Sequence, residues 1–359
     1  MTTPPGLFGL KNSNRDFSQN TNWGKNQFNN AFPVSLACYM SSKNIDPVYL
    51  TLNPELKVLH GKIKVSDVFG IDPLGADSFY AFESIYTPYE TLVVGNLPRI
   101  DLVASEIKNS LNYPLRPLEI KLTALPDNQT FNATEDNYDS EIVIRPDTIV
   151  YLALSLASSY INEKHLLLKH LQPLSDAISD WRSTKSVAPY IGLICSALDD
   201  IVSEKIELQK PLVIQPIWKT QGKKLLLADN CLDMFIWSDF AFTRTFIDIA
   251  RISSNPESIS RPTRCAVWLA KMLYDFASEG KIKHQQVIDE ITFDTKNDKA
   301  FAIGGAVTRK YMKSPELTNP RIKKQELKNI ILGGGEKLLS PERRFDAALL
   351  STPSLFDSL

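Results

Sequence analysis

The sequence predicts an α/β fold, with a central sheet flanked by helices and a largely helical C-terminal part. Three observations predict it. Ile100-Asp101-Leu102-Val103 and Leu118-Glu119-Ile120-Lys121-Leu122 are strand-like runs that hold charges among apolar residues. From Thr148 to Lys210 apolar residues recur at spacings of three and four, as in Ile191, Ile194, Leu198 and Ile201, which is the period of helices with one buried face. Pro211 to Trp218 then reads as a strand again, so strands lie on both sides of a helical layer.

Taken in order, residues 1–30 are rich in Asn, Ser, Thr and Gly with scattered Lys and Arg. They read as an N-terminal arm, either a disordered leader or a segment that orders on a partner. Phe32 to Ser42 reads as a short helix. Pro47 to Leu52, Lys62 to Val68 and Thr91 to Val94 read as strands by their β-branched content, and Asp77 to Tyr86 fits helix or strand equally. Pro126-Asp127-Asn128 signals a turn, and the polar run to Ser140 a loop. Glu141 to Ile144 reads as a third strand at the sheet centre. Pro146-Asp147 then opens a helix with Asp147 as its N-cap. Leu232 to Ile252 and Thr263 to Ser278 are predicted helices. Phe301 to Met312, interrupted by Gly304-Gly305, is a predicted hairpin. Arg321 to Leu332 and Pro341 to Leu350 are predicted helices on either side of Gly333-Gly334-Gly335. The division expected is an arm at 1–30, a core with its helical layer at 31–210, and an α+β part at 211–359.

Composition bounds the function classes. An apolar fraction of 43% and a charged fraction of 23% over 359 residues suit a globular protein with a sizeable core. The net charge of −1 conceals an asymmetry. Between Asp127 and Lys210 there are 13 acidic against 7 basic residues, whereas from Arg261 to Phe345 there are 17 basic against 10 acidic. Four separated cysteines (Cys38, Cys195, Cys231 and Cys265) give neither a disulfide framework nor a zinc spacing. The first ten residues lack the pattern of a secretory signal, and Thr148 to Ile161 is too short to span a bilayer, so a cytoplasmic, non-membrane protein is expected. There is no phosphate-cradling Gly-rich loop and no Gly-x-Ser-x-Gly elbow. His165 and His170 stand five apart, off a common helical face, and His60 and His284 are isolated.

What remains is the charge set in the two strand-like runs. Alternate side chains of a strand share a face, so Glu119 and Lys121 point one way while Leu118, Ile120 and Leu122 point the other. Charges on a buried-looking strand are costly without partners. Asp101 on a neighbouring strand could share a divalent cation with Glu119, which is the outline of a metal-dependent hydrolase site. The alternative is a charged ladder on an exposed edge. Glu106-Ile107-Lys108 repeats the Glu-x-Lys pattern, but it lies only five residues from Asp101 and runs into Asn109, Ser110 and Asn112. It reads as a pair of surface charges.

Asp101 followed by Glu119-x-Lys121 resembles the PD-(D/E)xK nuclease signature, with Pro98-Arg99-Ile100 in place of a strict proline before the aspartate. The wording Glu119 to Asp127 (EIKLTALPD), with Asn29-Asn30-Ala31-Phe32-Pro33 and Phe82-Glu83-Ser84-Ile85 upstream, resembles the HindVP-like type II restriction endonucleases over most of the chain. The resemblance implies a restriction-endonuclease-like mixed central sheet and Mg²⁺-dependent, sequence-specific cleavage of double-stranded DNA at a short palindrome, GRCGYC. It further implies a homodimer, and a cognate DNA methyltransferase that shares the target without needing to bind. In that reading Asp101, Glu119 and Lys121 are catalytic. The metal is held by Asp101, Glu119 and the backbone carbonyl of Ile120, and Glu83 is a further candidate ligand. Glu141 is a more distant candidate. The rivals are a repair or recombination nuclease without sequence specificity, and a DNA-binding module whose carboxylates are structural. Candidate DNA contacts are the basic and amide groups near turns and helix starts: Lys219, Gln221, Lys223 and Lys224; Arg261 and Arg264; Arg309, Lys310 and Lys313; Arg343 and Arg344. For each, the competing reading is a solvated charge.

Overall fold

The computed structural model describes residues 13–14, 25–125, 142–220, 227–253, 257–293, 300–303 and 311–327. In chain order the helices are α1 (Lys25–Ser42), α2 (Val65–Phe69), α3 (Pro146–Ser158), α4 (Lys164–Ala177), α5 (Thr184–Val187), α6 (Ile191–Glu204), α7 (Asp239–Ile252), α8 (Arg261–Glu279), α9 (His284–Glu290) and α10 (Pro315–Thr318). The strands are β1 (Val48–Leu52), β2 (Val58–Lys62), β3 (Ser78–Ser84), β4 (Ile100–Lys108), β5 (Leu111–Ile120), β6 (Thr123–Leu125), β7 (Ile142–Ile144), β8 (Pro211–Thr220), β9 (Leu227–Ser238), β10 (Phe301–Ile303) and β11 (Ile322–Lys323).

Among the described residues nine strands form one mixed sheet in the order β2-β1-β9-β8-β5-β4-β3, with β6 continuing beside β8 and β11 beside β9. β1 runs parallel to β9, and β5 and β6 run parallel to β8, while the other pairings are antiparallel. A larger core lies on one face, between the sheet and α3, α4, α6, α7 and α8; a smaller one lies on the other, under α1 and α2. The α/β architecture with helices on both faces is therefore as expected.

β4 and β5 form a hairpin whose turn is Asn109-Ser110, both in the left-handed region at φ 52° and 63°. Two such residues match the right-handed twist of the strands they join. β8 and β9 come from the predicted C-terminal part, yet they lie at the centre of the sheet that carries β4 and β5. β9 ends where Ser238 caps α7, its hydroxyl accepting the N–H of Ala241 at 3.0 Å. Arg321 fastens the later chain to β9. Its guanidinium donates to both carboxylate oxygens of the buried Asp233, at 2.8 and 2.6 Å, and to the carbonyl of Asp46 at 2.9 Å.

Several local expectations are corrected. Lys62 to Val68 is the end of β2 followed by α2, and Thr91 to Val94 is the tail of a 3-10 turn (Thr87–Leu92). Leu232 to Ser238 is strand, not helix. Phe235 and Trp237 bury on the larger core and Met234 and Ile236 on the smaller, and a strand buried on both faces shows no alternation to read. β7 is not at the sheet centre; it pairs with β10 in a separate two-stranded sheet. Of the hairpin expected at Phe301 to Met312, residues 304–310 lie outside the described residues. Arg145 rather than Asp147 takes the cap position of α3, with Pro146 next to it and Asp147 in the first turn. Ile322 and Lys323 are strand where a helix was expected. The helix expected at Pro341 to Leu350 lies outside the described residues. Among the described residues one helical run, Thr184–Glu204, is long and apolar enough by composition to cross a membrane. Its apolar side (Ile191, Ile194, Leu198 and Ile201) is buried in the larger core.

Candidate active site

The pairing of Leu102 with Leu118 places Asp101 across from Glu119 on the neighbouring strand. Val103 packs on the α3 side of the sheet and Leu102 and Leu118 on the other, so Asp101, Glu119 and Lys121 all face α3. The two strands are tied at this point, because the backbone N–H of Ile120 donates to Oδ2 of Asp101 at 2.9 Å. Like charges directly across a strand pair repel. Burial, then the nearby Glu119, pushes Asp101 up to about 7; Lys121, the Ile120 N–H and Arg145 oppose the rise.

Glu119 and Lys121 are both buried. Lys121 Nζ donates to Glu119 Oε1 at 2.6 Å, and the hydroxyl of Thr148, in the first turn of α3, donates to the same oxygen at 2.7 Å. Lys121 Nζ also lies 3.2 Å from Thr148 Oγ1, which accepts from it. Thr148 did not stand out in the sequence. The signal available was its position directly after Pro146-Asp147 at a helix start.

The donor set suits a hard cation. Among the described residues Asp101 Oδ1 and Glu119 Oε2 have no hydrogen-bond partner, and carboxylate oxygens with a backbone carbonyl such as that of Ile120 are what Mg²⁺ prefers. A cation between them would also offset the repulsion between Asp101 and Glu119. No group of three His, Cys, Asp or Glu side chains that could hold a metal is present among the described residues. Glu83 therefore does not join the two carboxylates as placed. It continues the same row, since its neighbours Phe82 and Ser84 pair with Leu102 and Ile100. Its φ of 47° is rare for a residue with a side chain and turns it out of the regular pleat. Glu141 lies outside the described residues.

Glu106 and Lys108 sit on β4 as an ion pair of 2.7 Å with Lys108 60% exposed. Five residues from Asp101, Glu106 falls on the opposite face. Of the histidines, His60 bonds the carbonyl of Tyr311 and His170 stands 3.5 Å from Glu204. His284 is buried beside the backbone of Asn96, and burial holds its imidazole below the usual range.

Two expected DNA contacts are placed in the interior. Lys219 is 1% exposed because β8 is a central strand covered on both faces. Arg264 is 3% exposed, its guanidinium 4.7 Å from the ring centre of Trp268, because α8 is a core helix. Arg261 at the start of α8 is half-buried, and Lys313 is exposed. Gln221, Lys223, Lys224, Arg309, Lys310, Arg343 and Arg344 lie outside the described residues.

Residues 23–356 match the sequence model of a family described as HindVP restriction endonuclease. The chain is 52% identical over 355 residues to the type II restriction enzyme HgiDI of Herpetosiphon aurantiacus, covering 99% of this chain and 98% of that one. It is 45% identical over 357 residues to the probable type II restriction enzyme HindVP of Haemophilus influenzae, covering 99% and 96%. No solved structure matches.

Proposed function

This chain belongs to the HindVP restriction endonuclease family, and on that footing we propose that it is a type II restriction endonuclease. It hydrolyses phosphodiester bonds of double-stranded DNA at a short palindrome, with Mg²⁺ as cofactor. The observation that carries this reading is the placement of Asp101 across from Glu119, with Lys121 on the same face and bonded to Glu119.

Asp101 Oδ1, Glu119 Oε2 and the carbonyl of Ile120 are the groups that would hold the metal. When bound, Mg²⁺ supplies charge compensation at the phosphate and a more acidic water. Lys121 brings an ammonium to the same face as both carboxylates. It orients the attacking water, helps remove its proton, and offsets phosphate charge. Thr148 and Glu119 hold it inside the fold until substrate arrives.

The target implied by the family resemblance is GRCGYC. Such a palindrome is read by a two-fold symmetric pair of chains, one active site per strand, so the working form is a homodimer in the cytoplasm. A DNA methyltransferase would protect the same target without contacting this chain.

The test is incubation of the purified protein with plasmid DNA and Mg²⁺, followed by sequencing of the ends. Discrete fragments ending at one short sequence, absent in EDTA, are expected. A smear of random ends would replace this reading with a non-specific nuclease, and binding without cutting would replace it with a DNA-binding module. Sedimentation at working concentration tests the dimer.

A further inference from the structure

We propose that Thr148 is a positioning residue for the catalytic pair Glu119 and Lys121, acting through its hydroxyl. The proposal rests on the nuclease reading above and adds a residue from outside the Asp101–Lys121 motif. Thr148 is 1% exposed, and its Oγ1 closes a triangle with Glu119 and Lys121. A hydroxyl has one hydrogen and two lone pairs, so it can donate to Glu119 Oε1 and accept from Lys121 Nζ at once. The arrangement matches that capacity: 2.7 Å to the carboxylate oxygen and 3.2 Å from the ammonium.

The consequence is directional. Oε1 of Glu119 receives two donors, Lys121 Nζ and Thr148 Oγ1, so Oε2 is the oxygen without a hydrogen-bond partner among the described residues. The triangle therefore decides which oxygen Glu119 presents to a cation. It also fixes the ammonium of Lys121, which among the described residues would otherwise be held by Glu119 alone. Thr148 is β-branched and sits in the first turn of a 13-residue helix packed in the core. The hydroxyl is therefore carried by a rigid element. Glu119 and Lys121 lie at and just beyond the end of β5, where β8 holds their backbone (Glu119 pairs with Val213, and the Lys121 N–H donates to the Ile214 carbonyl at 2.9 Å) but not their side chains. Thr148 of α3 ties those side chains to the helical layer.

Two variants separate the hydroxyl from the shape of the side chain. Thr148→Val keeps the branching and removes the hydroxyl; Thr148→Ser keeps the hydroxyl and removes a methyl. Single-turnover cleavage of target DNA is measured with Mg²⁺, and DNA affinity is measured with Ca²⁺ in its place. Thr148→Val is expected to lower the cleavage rate by about tenfold to a hundredfold. Its DNA affinity should stay within about twofold and Thr148→Ser within about threefold of the parent rate, as a group that orients others rather than binding substrate requires. A third measurement needs no activity: the rate of reductive methylation of Lys121 in the folded protein, mapped by mass spectrometry. Thr148→Val should speed it severalfold, since the ammonium has one acceptor fewer, and Thr148→Ser should not. Parent-like cleavage by Thr148→Val, or equal loss in both variants, overturns the proposal. If the parent cuts no DNA at all, the nuclease reading fails, and the methylation rates alone decide whether Thr148 holds Lys121.

Discussion

Oδ2 of Asp101 accepts the backbone N–H of Ile120 at 2.9 Å, so the carboxylate of one strand is bonded to the main chain between the two charged residues of the next. That bond holds Asp101 with one oxygen committed and one remaining. It also makes the separation of Asp101 from Glu119 a property of the backbone rather than of flexible side chains.

Glu119→Ala and Lys121→Ala should each lower target cleavage by at least about a hundredfold. Glu106→Ala and Lys108→Ala should leave it near the parent rate, because strand alternation turns that ion pair to the face opposite Asp101. Plasmid cleavage under matched conditions checks both. Full activity in Glu119→Ala would remove Glu119 from the site.

Asp101→Asn keeps the size of the side chain and removes a negative charge from a face that must receive phosphate. It should lose cleavage yet bind target DNA in metal-free buffer at least as well as the parent, since removing a carboxylate charge lessens the repulsion of the DNA backbone. Ca²⁺ should strengthen binding by the parent and help Asp101→Asn less. Gel shifts on target and scrambled duplexes, in EDTA and in Ca²⁺, measure this. Near-parent cutting by Asp101→Asn with Mg²⁺ would show that Asp101 is not a ligand.

Among the described basic candidates, Arg264 is buried whereas Lys313 is exposed. Replacing Arg261, Arg309, Lys310 and Lys313 together with Ala should weaken binding to all sequences. It should also flatten the slope of log affinity against log salt, by about 0.9 for each phosphate that the variant no longer neutralises. Arg264→Ala should instead lower the melting temperature and leave the slope unchanged, because its guanidinium packs on Trp268 inside the fold. A changed slope in Arg264→Ala would place that side chain on DNA.

Asp239, at the junction of β9 and α7, accepts the N–H groups of Lys210 and Phe240 and the hydroxyl of Ser155, at 3.0, 2.9 and 2.6 Å. Burial outweighs these bonds and pushes its carboxyl up to about 6. A folded value above the unfolded one stabilises the protein at low pH, and that stability is lost as pH rises from the ordinary aspartate range through about 6. Asp239→Asn carries no such dependence. Its stability relative to the parent should therefore rise between pH 4 and pH 7, by on the order of 2–3 kcal/mol. Urea unfolding of both proteins across that range gives the difference, and a constant difference would mean that the carboxyl is ionised throughout.

The spacing from Asp101 to Glu119-x-Lys121, the alternation that puts Glu119 and Lys121 on one face, and the surface character of Glu106 and Lys108 were legible in the sequence. All are local: side-chain alternation in a strand has period two whatever the strand pairs with, and a charge next to a turn such as Asn109-Ser110 has solvent nearby. The helical layer was legible for the same reason, since one apolar face repeats at spacings of three and four. What the tertiary structure decided was long-range pairing. It set β8 and β9 at the sheet centre, and with that the burial of Lys219, which as sequence was one more lysine beside a polar turn. It left β7 with β10 instead of in the main sheet. It brought Thr148 onto Glu119 and Lys121 from 29 and 27 residues away. None of these depends on the residues next to it in the chain. Each depends on which strand lies alongside and which helix covers it, and such choices follow from burying apolar surface over the whole molecule.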